Sequence, residues 1–489
     1  MDRLLAVALT LRGAQVTSAF CDGVLPACMM CEVNLVPDTG RFARHGPPRL
    51  LCAYCHAPAA AQVEALGLPV ARLGETLTEH DHARAWAFAK ATPESELAHA
   101  SWEGLPVGEH AHAGALRYLA RGSLGDEPHG TRILRRYLAA SVLTAIAYGR
   151  LMDRVRPAVV VAHHGIYVPQ GMVAALARAR GIRAVTWNPA YRRHCFIFSH
   201  DDTYHHTLMD EPVARWAGRQ LDPAEREATL AYLESRADGR GDWIRFHAEP
   251  ETGDLAQLAL DPAKPTFVAY TNVFWDAQLH YPANAFADQR AWLLETVRWF
   301  AARPDLQLVI RVHPAEITGS PSSRQRAADE IAAAFSRLPA NVTVVPPDSP
   351  VSSYALARRA NAALIYGTKM GVELTALGIP VIVAGEAWVR NKGITHDAAT
   401  KSHYLELLSQ LPFPGRIDGE RRERAIAYAH HFFFRRMIPL PLVVPEPGPR
   451  RFTISAPALD RLAPGADPGL DAICEGILQG TPFEYSRVD

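Results

Sequence analysis

Between residues 265 and 383 the chain alternates short apolar runs with helical segments, and this alternation is the strongest constraint on its fold. The apolar runs predict strands at 266–270, 307–312, 342–345, 362–366 and 380–383. Strands that alternate with helices form a parallel sheet with helices packed on both faces. The sequence therefore predicts an α/β domain, Rossmann-like in type, over residues 263–440.

A second strand–helix–strand unit lies upstream of this domain. Residues 157–162 form a continuous apolar run, as expected for a strand that is buried on both faces of a parallel sheet. The residues after it predict a helix over 170–180 and a strand over 184–187. Because a helix that links two parallel strands forms a βαβ unit, residues 1–245 predict a second Rossmann-like domain that faces the first across a cleft.

The predicted domain boundary is a linker at 240–262, near the sequence DGRGD. The Pro-rich residues 441–489 are predicted to form a tail that ends in a helix. The chain opens with a predicted helix at 3–12, followed by a strand at 16–20. An α/β domain normally begins with a strand, so either this fold lacks its first strand or the reading frame begins further upstream.

The composition excludes several classes of protein. The 489 residues carry 51 Lys and Arg against 51 Asp and Glu, which argues against a nucleic-acid-coating role, since that role needs a basic excess. An apolar share of 48% excludes a chain that is mainly disordered. No run of 18 apolar residues predicts a membrane span and no signal peptide is evident, so we expect a cytoplasmic protein.

Four of the seven cysteines form two CxxC pairs that are separated by twenty residues. They are Cys28, Cys31, Cys52 and Cys55. This spacing is typical of a tetrahedral zinc site with four thiolate ligands, and we predict structural zinc in a Cys-rich insertion at about 21–60. An iron–sulfur cluster uses the same thiolates, and two unrelated CxxC pairs are the remaining alternative. Cys21 and His56 are near enough in sequence to replace a ligand.

Polar residues follow the strands of the second domain, at the end where open parallel sheets bind ligands. Small residues within 367–373 let a phosphate approach the N–H groups of a helix start, and Glu373 is placed to accept from ribose hydroxyls. The cations and hydroxyl at 390–397 suit a diphosphate, although an ordinary loop has the same composition. The predicted donor-binding residues are Asn272, Asp276, His313, Gly367, Thr368, Glu373, Arg390, Lys392 and Thr395.

The first domain offers candidates for the chemical step. His163 and His164 follow its first buried strand, and histidine has the pKa range of a general base acting on an alcohol. The alternative is one buried and one exposed histidine without a role. Asn188 and Tyr191 follow the next strand, and with Glu109 they are the predicted acceptor-binding residues.

Four short motifs stand in order at the strand ends of the second domain. They are Thr-Asn-x-x-Trp-Asp at 271–276, Arg-Val-His-Pro-x-Glu at 311–316, Tyr-Gly-Thr-x-x-x-x-Glu at 366–373 and Lys-Gly-x-Thr-His-Asp at 392–397. Together they resemble the capsule polysaccharide biosynthesis proteins, bacterial glycosyltransferases with the two-domain GT-B fold. The His-Pro dipeptide also resembles that of bacterial sialyl- and Kdo-transferases. The resemblance implies that His313 binds the donor phosphate and Glu373 the ribose. It places Lys392 and Thr368 at the phosphates.

The sequence thus predicts a GT-B glycosyltransferase that moves a sugar from a CMP- or UDP-activated donor to a surface polysaccharide or glycolipid. His164, or His163 beside it, is the predicted base, and no catalytic metal is predicted. We expect no nucleic-acid partner, and a glycolipid acceptor is compatible with peripheral contact at the inner face of the membrane. Two alternatives stay open: a nucleotide-sugar 2-epimerase, and a non-catalytic carbohydrate-binding scaffold of a polysaccharide assembly.

Overall fold

The computed structural model describes residues 1–239, 241–244, 254–446 and 452–486. Its helices are α1 (Asp2–Leu11), α2 (Thr39–His45), α3 (Arg49–Ala65), α4 (Glu79–Ala91), α5 (Val107–Leu119), α6 (Gly130–Val155), α7 (Gln170–Ala179), α8 (Tyr204–Met209), α9 (Pro223–Ser235), α10 (Gln289–Ala301), α11 (Ala315–Thr318), α12 (Ala327–Ala334), α13 (Ser353–Arg359), α14 (Met370–Ala376), α15 (Lys401–Ser409), α16 (Gly419–His430) and α17 (Pro468–Gln479). Its strands are β1 (Ser18–Phe20), β2 (Val70–Arg72), β3 (Val159–His163), β4 (Arg183–Pro189), β5 (Cys195–His200), β6 (Thr266–Tyr270), β7 (Gln307–Arg311), β8 (Val342–Val345), β9 (Ala362–Ile365), β10 (Val381–Val383), β11 (His396–Asp397), β12 (Met437–Pro439), β13 (Val443–Pro445) and β14 (Phe452–Ile454).

The second domain contains a six-stranded sheet in the order β8-β7-β6-β9-β10-β11, and every pairing in it is parallel. In chain order this is 3-2-1-4-5-6, the arrangement of doubly wound dinucleotide-binding folds. Strands β6, β7 and β9 are buried along their whole length, because helices cover both faces of the sheet. The α/β prediction for this domain is confirmed, and the last predicted strand is followed by the short edge strand β11.

The main sheet of the first domain differs from the prediction of a parallel sheet. Its order is β12-β5-β4-β3, and within it β3 pairs with β4 in parallel while the other two pairings are antiparallel. The reason is the short connection at 190–194 between β4 and β5. A parallel crossover needs a dozen or more residues, so the chain turns back and β5 runs beside β4 in the opposite direction.

The C-terminal part of the chain returns to the first domain. Strand β12 pairs with β5, with Ile438 opposite Phe196. Helix α17 packs against α1 and this sheet in a core that also contains Ile438 and Phe196. The predicted boundary at residue 440 therefore divides a continuous unit, since the helix of the predicted tail completes the core of the first domain.

The predicted strand at 16–20 is the short β1, which lies outside the four-stranded sheet. It pairs in parallel with β2 to form a sheet of its own. Residues 240 and 245–253 of the predicted linker 240–262 lie outside the described residues. No helix among the described residues is both long enough and apolar enough to cross a membrane.

The docking of α17 gives a first testable prediction. A Cβ atom added at Gly469 would overlap the carbonyl oxygen of Pro439 at the end of β12. We expect Gly469→Ala to lower the free energy of unfolding by about 1–3 kcal/mol, because the neighbouring atom is backbone and cannot rotate away. Chemical denaturation measures the effect. Gly419→Ala in α16 is the matched control, because its added Cβ meets nothing within 4 Å and should leave stability unchanged or slightly raised.

Candidate functional site

The six-stranded sheet reverses its winding between β6 and β9, and ligands of doubly wound folds bind in the crevice at this reversal. Asn272 and Asp276 follow β6, whereas Gly367 and Thr368 follow β9. The topology therefore brings four predicted donor-binding residues to one crevice. Their contacts with a donor stay predictions.

Two more observations concern the β6 and β7 side of the crevice. The Oδ1 atom of Asn272 is buried and has no hydrogen-bond partner among the described residues. His313 follows β7, and its backbone N–H donates to Oγ1 of Thr271 at 3.0 Å. Its Nδ1 accepts from the N–H of Ala315 at 3.0 Å. The ring of His313 is therefore held at the strand end, with Nδ1 directed at the start of α11.

The strand ends of the two sheets meet through Tyr167 and Asp276. The Tyr167 hydroxyl donates to Oδ1 of Asp276 at 3.1 Å and accepts from the backbone N–H of Ala277 at 3.0 Å. Arg117 lies over the Tyr167 ring, with its guanidinium carbon 5.4 Å from the ring centroid. The side chain of Asp276 reaches solvent, but protein atoms surround its carboxylate. This desolvation raises the pKa of Asp276, and the hydrogen bond from Tyr167 opposes the shift.

A second contact joins the end of β4 to the loops after β9 and β10. Nζ of Lys369 lies 4.6 Å from the ring centroid of Tyr191. The ring of Trp388 lies 6.3 Å from that of Tyr191, 5.5 Å from that of Tyr204 and 5.4 Å from that of His205. Residues from both domains therefore enclose one aromatic and polar cleft at their strand ends.

Glu109, a predicted acceptor-binding residue, also lies between the domains. Its Oε1 accepts from the backbone N–H of His280 at 2.8 Å, and His280 belongs to the loop after β6. One carboxylate oxygen of Glu109 is thus used to hold the two domains together. Binding of an acceptor by Glu109 stays a prediction.

The two candidate bases differ in their hydrogen bonding. Nε2 of His163 lies 3.0 Å from Oδ1 of Asn188, whose amide nitrogen points at the Tyr204 hydroxyl. With that amide oxygen as acceptor, Nε2 of His163 carries the proton. Burial lowers the pKa of His163, and the nearby charge of Asp2 opposes the shift. His163 and Asn188 therefore form a pair in which each fixes the orientation of the other.

His164 is held in a different way. Its φ angle is +65°, in the left-handed region that non-glycine residues rarely adopt, and Gly165 after it has φ +74°. Its Nδ1 is buried and without a hydrogen-bond partner among the described residues. Burial, with the neighbouring His163 and His205, lowers the pKa of His164 well below its usual value. The structure therefore presents a neutral imidazole with an unused nitrogen on a strained turn.

Glu373 lies in a buried ionic network beneath the cleft. Its side chain is 0% exposed, Oε1 lies 2.8 Å from Nζ of Lys369, and Oε2 lies 2.9 Å from Nε of Arg236. The Tyr354 hydroxyl also donates to Oε2. Burial alone would raise the pKa of Glu373, but Arg236 and Lys369 outweigh it and lower the pKa to about 2. A ribose hydroxyl would have to share these oxygens, so the predicted ribose contact stays a prediction.

The structure does not bring Arg390, Lys392 and Thr395 to this cleft as free ligand-binding groups. The Arg390 guanidinium donates to the carbonyls of Gly385 and Ala398, at 3.2 and 2.9 Å. Nζ of Lys392 donates to two carbonyls of the first domain, those of Met209 at 3.0 Å and Glu211 at 2.7 Å.

Both side chains are buried, and burial lowers the pKa of Lys392 to about 8. The Thr395 hydroxyl donates to Oδ1 of Asp397 at 2.6 Å. The cationic side chains that suggested diphosphate binding donate to backbone carbonyls in this structure, and Lys392 thereby joins the two domains. Phosphate contacts from this loop stay a prediction.

Several cleft residues were not among those predicted from the sequence. They are Tyr167, Tyr204, His205, Lys369 and Trp388. Lys369 could have been found, because it follows Thr368 in the same strand-to-helix turn. Burial lowers the pKa of His205 to about 3, so this imidazole is neutral beside His164.

Comparison with known proteins supports the resemblance for one part of the chain. Residues 239–412 match the family model described as "Capsule polysaccharide biosynthesis protein". No curated protein sequence matches the chain significantly.

Some solved structures are remotely similar. The β-Kdo 2,4 transferase KpsC of Thermosulfurimonas dismutans is 13% identical with a TM-score of 0.37, over 55% of this chain and 78% of that chain. The β-Kdo 2,7 transferase KpsC of the same organism is 13% identical with a TM-score of 0.35, over 65% and 88%. The UDP-GlcNAc 2-epimerase from Neisseria meningitidis is 12% identical with a TM-score of 0.30, over 61% and 80%.

The family match spans all six strands of the second domain and all four strand-end motifs, at 271–276, 311–316, 366–373 and 392–397. It is independent of the remote structural similarities. Over residues 239–412, the chain is thus similar to the family described as "Capsule polysaccharide biosynthesis protein", as the strand-end motifs predicted.

Proposed function

We propose that this protein is a GT-B glycosyltransferase that moves a sugar from a nucleotide-sugar donor to a growing surface polysaccharide or glycolipid. The observation that carries the proposal is the convergence of strand ends from both sheets on one cleft, through Tyr167 with Asp276 and Tyr191 with Lys369. A group-transfer enzyme needs such a cleft because donor and acceptor must be held together for reaction. The similarity of residues 239–412 to the family described as "Capsule polysaccharide biosynthesis protein" supports a surface polysaccharide as the product.

The donor side of the cleft is the crevice between β6 and β9. We assign the nucleotide to this crevice, with the unpartnered Oδ1 of Asn272 as one acceptor for its polar groups. Lys369 and His313 lie at the adjoining strand ends, where positive charge or an N–H group would offset charge on the leaving phosphate. A CMP- or UDP-activated sugar fits this description equally well.

The acceptor side is formed by the first domain, with His164 as the base. In the proposed step, the imidazole of His164 takes the proton of the acceptor hydroxyl. That oxygen forms a bond to the anomeric carbon, and the bond from this carbon to the phosphate oxygen breaks, so the nucleotide leaves with its electron pair. His163 and Asn188 hold the neighbouring backbone turn, and Tyr191 lines the cleft beside the sugar. Contact with the inner face of the membrane, where a glycolipid acceptor would lie, stays a prediction.

A thermal-shift experiment tests the donor assignment. We expect one of CMP or UDP, or its sugar conjugate, to raise the melting temperature, because a ligand at about 100 times its Kd adds roughly 2.7 kcal/mol of stability. Asn272→Ala should abolish most of the shift. His403→Ala in the remote helix α15 is the control and should leave the shift unchanged.

Two outcomes would count against the proposal. If no nucleotide raised the melting temperature of well-folded protein, the donor site would be wrong and a carbohydrate-binding scaffold would be favoured. If a UDP-sugar bound and was converted to its 2-epimer without an acceptor, the epimerase alternative would replace glycosyl transfer.

A further inference from the structure

The Cys-rich insertion carries two CxxC pairs in a part of the first domain that the proposed reaction does not use. Sγ of Cys28 lies 4.0 Å from Sγ of Cys31. Two thiolates that bind one Zn²⁺ at about 2.3 Å in tetrahedral geometry are roughly 3.8 Å apart. The first CxxC pair therefore already has nearly the spacing that a shared metal ion requires.

The second pair lies on the first two turns of helix α3. Cys52 and Cys55 are three residues apart in this helix, so their side chains lie on the same face. The helix begins at Arg49, directly after Pro48. A CxxC turn opposite the start of a helix is a compact way to direct four sulfurs at one point.

The turn that follows Cys21, on the N-terminal side of the first pair, lies beside the second pair. A Cβ atom added at Gly23 of that turn would lie 3.2 Å from Cβ and 3.8 Å from Sγ of Cys52, so the turn packs on the second pair. The thiols of both pairs are free of disulfide bonds.

The loop between β1 and α2, residues 21–38, forms neither helix nor strand. It is nevertheless tied to the core: the Tyr137 hydroxyl donates to the carbonyl of Cys28 at 3.2 Å, and the N–H of Met29 donates to the carbonyl of Val168 at 2.8 Å. Val168 follows Tyr167, which contacts Asp276 in the cleft.

We propose that Cys28, Cys31, Cys52 and Cys55 bind one Zn²⁺ ion, which fastens the loop 21–38 to the start of α3. In the described residues no three of these sulfurs lie within 4.8 Å of one another, so binding requires the α3 pair to rotate toward Cys28. Each thiol loses its proton as its sulfur binds the metal. Because the loop contacts Val168, the ion would also stabilise one wall of the proposed cleft.

Metal analysis of the purified full-length protein tests this proposal independently of any activity. We expect about one zinc per chain, with neither iron nor visible absorption between 400 and 450 nm. Cys28→Ser and Cys55→Ser should each lose most of the zinc. Cys195→Ala and Cys474→Ala are the matched controls, because both thiols are buried elsewhere in the fold and should leave the zinc content unchanged.

A second measurement uses wild-type protein and therefore does not depend on whether the variants fold. Wild-type protein is incubated with a thiol reagent under native conditions, with and without prior removal of metal by a chelator. We expect chelation to make at least the two thiols of α3, Cys52 and Cys55, reactive and to lower the melting temperature, and added Zn²⁺ to reverse both changes. Zinc retained in both serine variants, thiols that react equally before and after chelation, or a stoichiometric iron content would each overturn the proposal.

Discussion

Glu373→Ala is expected to lower the free energy of unfolding by about 3–5 kcal/mol, because it removes the buried carboxylate that two cations share. Lys369 loses its ion-pair partner, and Arg236 keeps its pair with Asp242. Arg236 and Lys369 both contact this carboxylate, at 2.9 and 2.8 Å, and their side chains are 7% and 15% exposed. Arg236 is the more deeply buried of the two cations, whereas Lys369 lies at the edge of the cleft. Denaturant titration followed by circular dichroism measures the loss.

An exposed ion pair gives the matched control. Glu423 pairs with Arg226 at 2.7 Å, with side chains that are 55% and 41% exposed. Exposed pairs contribute about 0–1 kcal/mol, so Glu423→Ala should change stability little. A Glu373→Ala variant as stable as Glu423→Ala would show that water reaches Arg236 and Lys369 and that the network is not buried in solution.

The same network predicts how stability changes with pH. The pKa of Glu373 is about 2 in the folded protein, compared with an ordinary value of 4.5. Its carboxylate therefore contributes stability that is fully present above about pH 4.5 and is lost as the pH falls toward 2. Between about pH 4.5 and pH 2, Glu373→Ala should lose less stability than wild type. A cavity left by the substitution would lower stability equally at every pH, so the pH dependence separates the two effects.

The second domain could be predicted closely because its strands are buried on both faces. Strands of this kind are continuous apolar runs, and the predicted strands at 266–270 and 342–345 coincide with β6 and β8. Their right-handed connections then leave few topologies to choose from. The polar strand-end residues followed from the same topology, so their common crevice was accessible from sequence.

The first domain could not be predicted as well, because its sheet depends on contacts between distant parts of the chain. β12 is three residues long, carries no alternating pattern of its own and pairs with a strand about 240 residues earlier. The hydrogen-bond partners of the buried cations Arg390 and Lys392 also could not be predicted from the sequence. Lys392 and Arg390 look like phosphate ligands in sequence, yet they bind backbone carbonyls, and only tertiary structure shows which acceptors lie within reach.

His164→Ala is expected to lower kcat by about 10²–10⁴, the range that a positioned general base contributes, with little change in the affinity for the donor. The physical reason is that burial lowers the pKa of His164 and keeps its imidazole neutral, so that the ring has a lone pair for the proton. Nδ1 of this ring has no hydrogen-bond partner among the described residues. Release of nucleotide from the donor identified by thermal shift, in the presence of acceptor, measures the rate. The donor-induced thermal shift measures binding separately.

A variant at the neighbouring His163 shows whether His164 has a chemical or a structural role. His163→Ala removes a ring whose Nε2 is already paired with Asn188, so it should lower kcat less than His164→Ala and should also destabilise the turn. Equal losses of kcat in both variants, together with equal losses of stability, would mean that the turn and not the imidazole of His164 matters. If His164→Ala kept full activity, the carboxylate of Asp276 would become the candidate base, because desolvation raises its pKa and it is open to the cleft. A loss of kcat confined to His164→Ala, with the thermal shift by donor intact, would instead place the proton transfer on the first domain and leave nucleotide binding to the second.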